Sequence, residues 1–572
     1  MAGTTPISDN FSLPQPGIEP EPSATPSAAE SDPWIFRDGK RSVSGSQLLD
    51  DLRRRIASAA ESSTLLDALI EAGELEAALA DAGSSSAEAA ARVTDCLAAA
   101  VIRGDPNALA RAATHADQIA PQDMLAVAPP EGFTYYALHP SDFARLAETL
   151  PSEEPRYAVV GIRSIGTTLS AVVLTALTAQ GKQARRITVR PTGHPYSRRT
   201  EFTADQLRRI DENNGAQFLI VDEGPGRSGS TFLSVAEALV RAGVPGQRIT
   251  ILGSREPDLT SLCADNAINR WREFGFLATA PSVNQRFADC TYVGGGEWRQ
   301  SLLAAGEPWP ASWTQMERLK FISPDRRTLY KFEGMGPIGA EVRDRAFRLA
   351  QAGFAPQVRG AGDGFLAYEL ANGTRPRAQD MTSSIVERIA EYCAFRYAEF
   401  GVHPSSQEAQ LREMLEFNLA QEFGIQVTVP AESFCAKRPV ISDGRMNPHE
   451  WILNDSGKLI KTDGVDHGDN HFFPGPCDIA WDLAGAAVEW QLGAEACDFL
   501  TEQFRRRSGV DVSSCLAPYK LAYSVFRLGF CKMAISTVKG SAEEERLADA
   551  YQHYRAVAHN LLPVTSQAQI AA

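Results

Sequence analysis

The chain has 572 residues and a mass of 62.0 kDa, which is too long for one compact core and predicts roughly two to four domains. Its formal net charge of -15 and pI near 5.2 argue against a nonspecific nucleic-acid-binding protein, because such proteins need a basic surface to displace counterions. No apolar stretch reaches the roughly 18 residues that a membrane helix needs, and the N-terminus lacks the pattern of a signal peptide. We therefore expect a cytoplasmic protein that binds small molecules, with neither a nucleic acid nor a membrane as partner.

The N-terminal part of the sequence is predicted to contain a tail and a helical region. Residues 1–32 are rich in Pro, Ser and Glu and almost without aromatic residues, which predicts a disordered tail. Residues 33–125 are predicted to be helical, because apolar residues recur every three or four positions in LLDALIEAGELEAAL. This helical region carries no visible chemistry. It is a candidate surface for a protein partner or for a homo-oligomer.

Residues 126–300 change to an α/β pattern. Short apolar runs such as RYAVVGI, RRITVRP, QFLIVDE and RITILGS alternate with helical segments such as SAVVLTALTAQG and FLSVAEALVRAGV. Alternating strands and helices of this kind are typical of βαβ units, so the sequence predicts a parallel sheet.

The remaining sequence predicts a small sheet followed by a helical part. Within residues 301–372, RLKFISPDRRTLYKF and PQVRGAGDGFLAYEL are typical of two hairpins, the second turning at Asp363 and Gly364, with the helix EVRDRAFRLAQAGF between them. Residues 373–572 are predicted to be mainly helical, with a loop-rich stretch at 436–480.

The segment at 222–231 has the layout expected of a phosphate-binding loop. Asp222 and Glu223 end an apolar strand, and a loop of small residues leads into an amphipathic helix. Backbone N–H groups at a helix N-terminus point toward an anion, and glycines let a ligand approach the chain. The two acids can accept hydrogen bonds from ribose hydroxyls. The residues that would hold the 5-phosphate are Ser228, Gly229, Ser230 and Thr231.

On these residues the stretch 126–290 resembles the type I phosphoribosyltransferases, whose binding loop is an apolar strand, two acids and a Thr/Gly-rich turn. Here Gly-Pro-Gly precedes RSGST, so the loop is one residue longer than usual. The resemblance implies that VVGIRSIGTTLS forms the pyrophosphate loop, with Arg163 as its cation, and that Arg227 also contacts the substrate. It also implies that VRPTGHPYSRR is a mobile lid.

The reaction implied by this resemblance is substitution at the anomeric carbon of phosphoribosyl diphosphate, with Mg²⁺ neutralising the leaving diphosphate. Asp222 and Glu223 would then belong to the catalytic site. Two plainer interpretations stay open. The loop can be an ordinary strand-to-helix turn, and Arg163 can be a surface salt-bridge residue.

Residues 315–535 resemble the aminoglycoside phosphotransferase and choline kinase group. In LYKFEG the strand lysine is Lys331, and the next helix offers Glu341; the resemblance implies an ATP-binding pair in which Lys331 binds the phosphates and is paired with Glu341. In SDGRMNPHEWILNDSGKLIKTDGVDHGD it implies that Asp443 is the base that orients the acceptor hydroxyl and that Asp463 is the Mg²⁺ ligand.

One departure from this group concerns the metal site. The group has an Asn five residues after its catalytic Asp, whereas this chain has Pro448, flanked by Asn447, His449 and Glu450. One of these three neighbours can substitute, or the domain binds nucleotide without transferring phosphate. The acids and histidines at 466–471 are expected to form a solvated loop rather than a metal cluster.

Together these patterns predict a multidomain α/β and α+β protein. A helical N-terminal region precedes a phosphoribosyltransferase-like parallel-sheet domain at 126–300, and a bilobal kinase-like domain follows, with a small lobe at 301–372 and a helical large lobe at 373–572. The predicted function is a phosphoribosyltransferase fused to an ATP-dependent small-molecule kinase, in nucleotide or nucleoside metabolism. The alternative is a regulator that binds nucleotides without turnover.

Overall fold

The structure is a computed structural model. It describes residues 41–59, 62–120, 123–151, 156–194, 196–226, 228–260, 262–402, 407–434, 436–469, 473 and 475–562. The tail predicted at 1–32 lies outside the described residues. No helix in the described ranges combines the length and the apolar character needed to cross a membrane.

The N-terminal region is a helical unit closed by a short antiparallel pair of strands. The leucines and alanines of LLDALIEAGELEAAL lie on its long second helix, and all of them are buried except Leu65, which is partly buried. This second helix, α2, packs against α3 of the same unit and also against later helices of the chain. The elements are β1 (Arg41–Ser44), α1 (Gly45–Ser58), α2 (Ser62–Asp81), α3 (Ala87–Arg103), α4 (Ala108–Ala116) and β2 (Met124–Val127), with β1 paired to β2.

The predicted parallel sheet is confirmed. Two helices lead into it, α5 (Glu131–Tyr135) and α6 (Pro140–Glu148). Strands and helices then alternate as β3 (Arg156–Ile162), α7 (Ile165–Ala179), β4 (Gln183–Val189), α8 (Ala204–Glu212), β5 (Gln217–Val221), α9 (Ser230–Arg241), β6 (Ile249–Gly253), α10 (Ala267–Trp271), β7 (Gly275–Ala278) and α11 (Ser282–Arg286). The five strands are parallel in the order β4-β3-β5-β6-β7.

The strand order of this sheet fixes where a ligand fits best. The chain runs from β3 outward to β4 and then returns to the other side of β3 with β5. In open parallel sheets, ligands bind outside the carboxyl ends of the strands where the order reverses. Here that point lies between the ends of β3 and β5.

The next unit is an antiparallel sheet in the order β11-β12-β10-β9-β8. Both predicted hairpins are present, and Asp363 and Gly364 form the turn of the second with positive φ angles of 49° and 78°. A strand before residue 301, β8, already belongs to this sheet. The elements are β8 (Thr291–Tyr292), α12 (Trp298–Leu302), β9 (Lys320–Ile322), β10 (Thr328–Phe332), α13 (Gly336–Gln351), β11 (Val358–Gly362) and β12 (Phe365–Glu369).

The C-terminal part is mainly helical and encloses one small hairpin. Its core is continuous with the inner side of α13, through buried residues such as Val342 and Leu349. The elements are α14 (Ser383–Glu399), α15 (Gln407–Phe423), β13 (Trp451–Leu453), β14 (Leu459–Lys461), α16 (Ala480–Glu489), α17 (Ala494–Ser508), α18 (Leu516–Thr537) and α19 (Ala542–Leu561).

A second hydrophobic core joins the N-terminal unit to both sheets. It contains Leu69 of α2, Leu219 of the parallel sheet, and Phe321 and Phe365 of the antiparallel sheet. Phe287, which follows α11, stacks on Phe321 with ring centroids 4.5 Å apart. The N-terminal unit is therefore packed into the molecule and buries its apolar face within the same chain.

Helix α2 also provides the N-terminal cap of α13. The residue before α13, Met335, has no side-chain oxygen to accept a hydrogen bond from the first turn. Instead, the backbone N–H of Gly336 donates to Asp67 Oδ1 of α2 at 2.7 Å, and Arg343 pairs with the other oxygen. Burial raises the pKa of Asp67, although Arg343 and the Gly336 amide favour its charge. An acid from another unit thus does what a local Ser or Asp normally does.

Replacing Asp67 with Ala is expected to lower the free energy of unfolding by about 3–5 kcal/mol, because Arg343 would stay partly buried without its partner and the Gly336 N–H would lose its acceptor. Asp67→Asn keeps an acceptor for Gly336 and should cost less. Denaturant unfolding measures the free energy of unfolding of both variants, and hydrogen exchange of the backbone N–H groups in the first turn of α13 measures the loss of the cap. The exposed Asp50→Asn is the control. Equal stability of Asp67→Ala and wild type would contradict this role.

Candidate functional sites

The structure brings two loops together at the carboxyl edge of the parallel sheet, and we call this region the strand-end site. One loop follows β3 at residues 163–166, and the other follows β5 from residue 222. They touch, because a Cβ atom at Gly166 would lie 2.3 Å from the carbonyl oxygen of Val221. The backbone N–H of Gly166 also donates a hydrogen bond to the Asp222 carboxylate. Asp222 thus lies at the point where the strand order reverses.

The two acids of the strand-end site have different surroundings. Burial raises the pKa of Asp222 to about 7, although the backbone N–H groups of Glu223 and Gly166 and the charge of Arg190 lower it. Burial and the nearby Glu131 raise the pKa of Glu223 to about 8. Asp222 stays partly exposed, whereas Glu223 is buried against α5 and accepts a hydrogen bond from Gly132 N–H. Asp222 is therefore the acid that an incoming ligand reaches first.

The loop from 224 to 231 leads into α9, as expected of an anion-binding turn. Gly229, with φ +66°, precedes the helix, and the Ser228 hydroxyl accepts from the backbone N–H of Ser230 at 3.2 Å. Ser230 is buried and Thr231 is partly exposed. Arg227 lies outside the described residues.

Arg163 lies beside the strand-end site but is paired with the N-terminal unit. Its Nη1 is 2.8 Å from Asp81 Oδ1, at the end of α2, and its other nitrogens donate to Thr188. Arg190 shares the same carboxylate at 2.6 Å and donates to the carbonyl oxygen of Arg163. The salt-bridge interpretation of Arg163 is thus what the structure contains, and the diphosphate role stays a prediction.

A second site, the cleft site, is a cavity of about 160 Å³ between the antiparallel sheet and the helical part. It combines charged groups from the sheet and the 463–467 loop with aromatic rings from more distant segments. The ring of Trp298 stacks on His449 with centroids 6.0 Å apart. Its wall includes Tyr135, Tyr136, Trp298, Arg318, Lys320, Lys331, His449, Glu450, Asp463, Asp466 and His467.

Lys331 and Asp463 meet in the cleft site. Lys331 Nζ lies 2.8 Å from Asp463 Oδ1, 2.9 Å from Asp466 Oδ1 and 3.3 Å from Glu333 Oε2. Burial disfavours the charge of Lys331, but these acids outweigh it and raise its pKa. Asp463 also faces Lys320 at 3.4 Å, and Asp466 pairs with Arg318. In this arrangement Lys331, Lys320 and Arg318 are each paired with an acid.

The expected pair of Lys331 with Glu341 is not formed. The ion pairs of Lys331 within the described part of the chain involve Asp463, Asp466 and Glu333 only. Glu341 is exposed on α13, near Glu74 of α2. The reason is the docking of α13, which Asp67 holds against the N-terminal unit so that Glu341 is directed there. Glu333, two residues after the lysine and just past the end of β10, is a buried partner instead.

Asp443 lies behind the cavity wall. It is 0 % exposed and accepts hydrogen bonds from Tyr392 Oη at 2.6 Å and from the backbone N–H of Arg445 at 3.2 Å. Burial opposes its ionisation, but Lys461, His467 and Arg396 outweigh burial and lower its pKa to about 2. Lys461 Nζ is 3.4 Å away. The surroundings of Asp443 therefore favour its charged form, and His467 lies between it and the cavity.

A buried network fixes the loop that carries Asp443. Asp482 of α16 accepts hydrogen bonds from the backbone N–H groups of Asp443 at 2.9 Å and Gly444 at 3.1 Å. Arg396 of α14 donates to the carbonyl oxygens of Ile441 and Gly464. Burial raises the pKa of Asp482 to about 6. One arginine thus ties the Asp443 loop to the Asp463 loop, and their relative position is set by the helical core.

The 463–467 loop is less solvated than the sequence suggests. Asp466 and His467 are buried, and one ligand atom each from Asp463, Asp466 and His467 lies within 4.8 Å of the others. The expectation of a solvated loop at these two residues was wrong, because Arg318 and Lys331 draw Asp466 inward. His471 and the side chain of Asp469 lie outside the described residues.

The three candidate ligands beside Pro448, namely Asn447, His449 and Glu450, point to different parts of the structure. The Asn447 amide donates to Glu489 at 2.7 Å, on the helical side. His449 and Glu450 line the cleft site, but Glu450 pairs with Lys461 at 2.8 Å, and burial lowers the pKa of His449 to about 3.

Several residues of the cleft site were not predicted. Lys461, which ends β14 and pairs with Asp443 and Glu450 behind the cavity wall, was not predicted either, although it stands only two positions before Asp463. Arg318 and Lys320 lie on or beside a strand without any motif. Tyr135 ends α5 and Tyr136 follows it, about 180 residues before Arg318 in the sequence, and no local pattern marks them.

No protein-family model matches the chain, and no curated protein matches it. Solved structures similar to it are a choline/ethanolamine kinase family protein from Mesorhizobium loti (14% identity, 48% of this chain and 97% of that chain, TM-score 0.31) and choline kinase LicA from Streptococcus pneumoniae (13%, 46% and 97%, 0.30). Another is the GDP complex of aminoglycoside 2′-phosphotransferase-IIIa (13%, 43% and 90%, 0.28). Identities and scores this low say nothing about substrate.

The pKa of Glu223 predicts how stability depends on pH. Its pKa is about 8 in the folded chain and ordinarily 4.5, so between these values the unfolded chain releases a proton that the folded chain keeps. The free energy of unfolding should therefore fall as pH rises from about 4.5 to 8. Glu223→Gln should remove part of this slope and stabilise the protein at pH 8 by on the order of 3 kcal/mol.

Denaturant unfolding at a series of pH values measures this slope. Glu212→Gln, on the exposed surface of α8, is the matched control and should leave it unchanged. A slope in Glu223→Gln identical to that of wild type would show that the acid is not held in a desolvated position.

Proposed function

We propose that the chain is a two-site transferase whose cleft site binds ATP with a divalent cation and transfers phosphate to a small molecule. The observation that carries this proposal is the meeting of Lys331 with Asp463 at one cavity. Phosphoryl transfer depends on positioning and charge stabilisation, and a lysine for the phosphates beside an acid for the metal is the minimum that it needs.

The residues of the cleft site fit a divalent cation. Asp463 and Asp466 offer carboxylate oxygens, the donors that Mg²⁺ and Mn²⁺ accept, close to an imidazole of His467. When bound, the ion would neutralise charge on the transferring phosphoryl group. Lys331 and Lys320 would pair with the phosphates of ATP. The oxygen of an acceptor hydroxyl would bond to the γ-phosphorus as the bond to the β,γ-bridging oxygen breaks, leaving ADP, and the hydroxyl proton would pass to water.

Lys331→Met is expected to weaken ATP binding by roughly 10- to 100-fold, because a charged hydrogen-bond donor to the phosphates is lost. Isothermal calorimetry with ATP and a divalent cation measures the affinity, and thermal unfolding verifies the fold. Lys458→Met, on the exposed turn between β13 and β14, is the matched control and should bind as wild type does. Unchanged ATP affinity in Lys331→Met would contradict the proposed site.

A regulator that binds nucleotide without turnover is the second candidate. The full burial of Asp443 and its contact with Lys461 favour it, since an acceptor hydroxyl cannot reach Asp443 in this arrangement. An ATP-consumption assay beside the calorimetry separates the two. Binding with consumption selects the transferase, and binding without consumption over a panel of alcohols, amines and nucleosides selects the regulator.

For the strand-end site we propose binding of phosphoribosyl diphosphate and glycosyl transfer or cleavage at its anomeric carbon. Support comes from Asp222 at the reversal of strand order and from the small-residue turn before α9. Asp222 would accept hydrogen bonds from the ribose hydroxyls while backbone N–H groups hold the 5-phosphate. The bond from the anomeric carbon to the diphosphate oxygen would break as a bond to the acceptor base forms.

Above its pKa of about 7, Asp222 is charged, and there Asp222→Asn is expected to weaken binding of phosphoribosyl diphosphate by roughly 10- to 100-fold, because a charged acceptor for the ribose hydroxyls is replaced by a neutral amide. Calorimetry with phosphoribosyl diphosphate measures binding, and diphosphate release with a panel of bases measures turnover. Asp211→Asn, exposed on α8, is the control. Equal binding by Asp222→Asn and wild type, or no binding by wild type, would overturn this half of the proposal.

A further inference from the structure

The metal site implied at the cleft lacks one oxygen ligand. Pro448 stands where the resembling kinases have an Asn, and the amide of the adjacent Asn447 is turned away to Glu489. Glu450 lies at the cavity but is paired with Lys461. Any further ligand must therefore come from another segment of the chain.

His467 lies between Asp463, which lines the cavity, and Asp443, which lies behind the cavity wall. Its Nε2 lies 3.9 Å from Asp463 Oδ1, and its Nδ1 lies 3.7 Å from Asp443 Oδ1, which is too long for a good hydrogen bond. The residue is only 9 % exposed, and Nδ1 has no hydrogen-bond partner among the described residues. A buried imidazole placed between these two carboxylates has Nδ1 on the side of Asp443 and leaves Nε2 directed at Asp463.

The direction of each ring nitrogen matches a metal-binding histidine. Such a histidine binds the ion through one nitrogen and usually donates its other N–H to a carboxylate, which fixes the ring. Here Nε2 faces the side of Asp463 and Asp466, and Nδ1 faces Asp443. This also gives the fully buried Asp443 a role that needs no access to the cavity.

We infer that His467 is a metal ligand together with Asp463 and Asp466, that Asp443 positions its ring, and that the site therefore selects Mn²⁺ over Mg²⁺. The inference rests on the proposed nucleotide-binding function of the cleft site. Mg²⁺ demands near-ideal octahedral oxygen coordination, whereas imidazole suits transition ions. A site with two carboxylates and one imidazole accepts Mn²⁺ without loss and Mg²⁺ only at a disadvantage.

The ion must enter together with nucleotide. In the present arrangement Lys331 holds both Asp463 and Asp466, while Lys320 and Arg318 hold their second oxygens. Four carboxylate oxygens are thus directed at cations, which repel a divalent ion. The phosphates of ADP or ATP would draw the lysines away and release Asp463 for the metal. Mn²⁺ should therefore bind much more tightly with ADP than without it.

The test uses the full chain with Mn²⁺ and ADP and detects the ligand directly. Pulsed electron paramagnetic resonance reports the ¹⁴N nucleus of an imidazole bound to Mn²⁺. Wild type is expected to show this ¹⁴N signal, and His467→Asn to lose it. His449→Asn is the matched control, because His449 lines the same cavity and should not contribute. Any contribution of the adenine ring is the same in all three proteins.

Affinities give a second measurement. Removing a group that merely supports a metal ligand costs about 10- to 100-fold in metal affinity, and this is the loss expected for Asp443→Asn. For His467→Asn we expect a loss of Mn²⁺ affinity at least as large as that of Asp443→Asn. Because Asn offers an oxygen in place of the imidazole nitrogen, this variant should also shift the metal preference from Mn²⁺ toward Mg²⁺. The fluorescence of a labelled ADP, measured without metal, verifies that each variant still binds the nucleotide.

The outcomes are distinguishable. Wild type that binds Mn²⁺ and ADP without a ¹⁴N signal, or a signal that survives in His467→Asn, overturns the metal-ligand role while the nucleotide site stands. Wild type that binds neither ADP nor Mn²⁺ overturns the proposed function, and the inference with it. Loss of the signal in His467→Asn alone, with ADP binding intact, supports the inference.

Discussion

Helix α2 carries five carboxylates, four of them buried and the fifth, Asp81, at its exposed end, and each pairs with an arginine from its own unit or from one of the later units. The pairs are Asp67–Arg343, Glu71–Arg55, Glu74–Arg41, Glu76–Arg186 and Asp81 with Arg163 and Arg190. Buried pairs add little net stability but are costly to break, by about 3–5 kcal/mol. Burial also raises the pKa of Glu71 and Glu74 to about 7, so ionising these two acids is costly in the folded chain.

These pairs place α2 across both candidate sites. Asp67, near its start, caps α13 behind the cleft site, and Asp81, at its end, neutralises the arginines beside the strand-end site. Helix α5 makes a second connection, since Gly132 N–H donates to Glu223 while the carbonyl oxygen of Thr134 accepts from Arg318. Arg318 in turn pairs with Asp466. The two sites are therefore connected through α2 and α5.

The parts that could be predicted from the sequence are those set by local periodicity. The parallel sheet follows from apolar runs alternating with helices, and the hairpin at Asp363 and Gly364 follows from residues that tolerate positive φ. Lys331 and Asp463 were expected at one site and do meet. Glu341 was misplaced, because the orientation of α13 is set by Asp67, 269 residues from the Gly336 amide that it accepts. No local pattern encodes a cap supplied from such a distance.

The same reasoning explains why the charge state of the cleft site could not be predicted. Each acid there is paired with a cation from a different segment: Asp463 with Lys331, Asp466 with Arg318 and Asp443 with Lys461. A site this balanced has little net field to attract an isolated divalent ion or an isolated nucleotide. A metal–nucleotide complex, however, brings an anion for the lysines and a cation for the acids at once. The pairing thus favours joint binding of both ligands over binding of either alone.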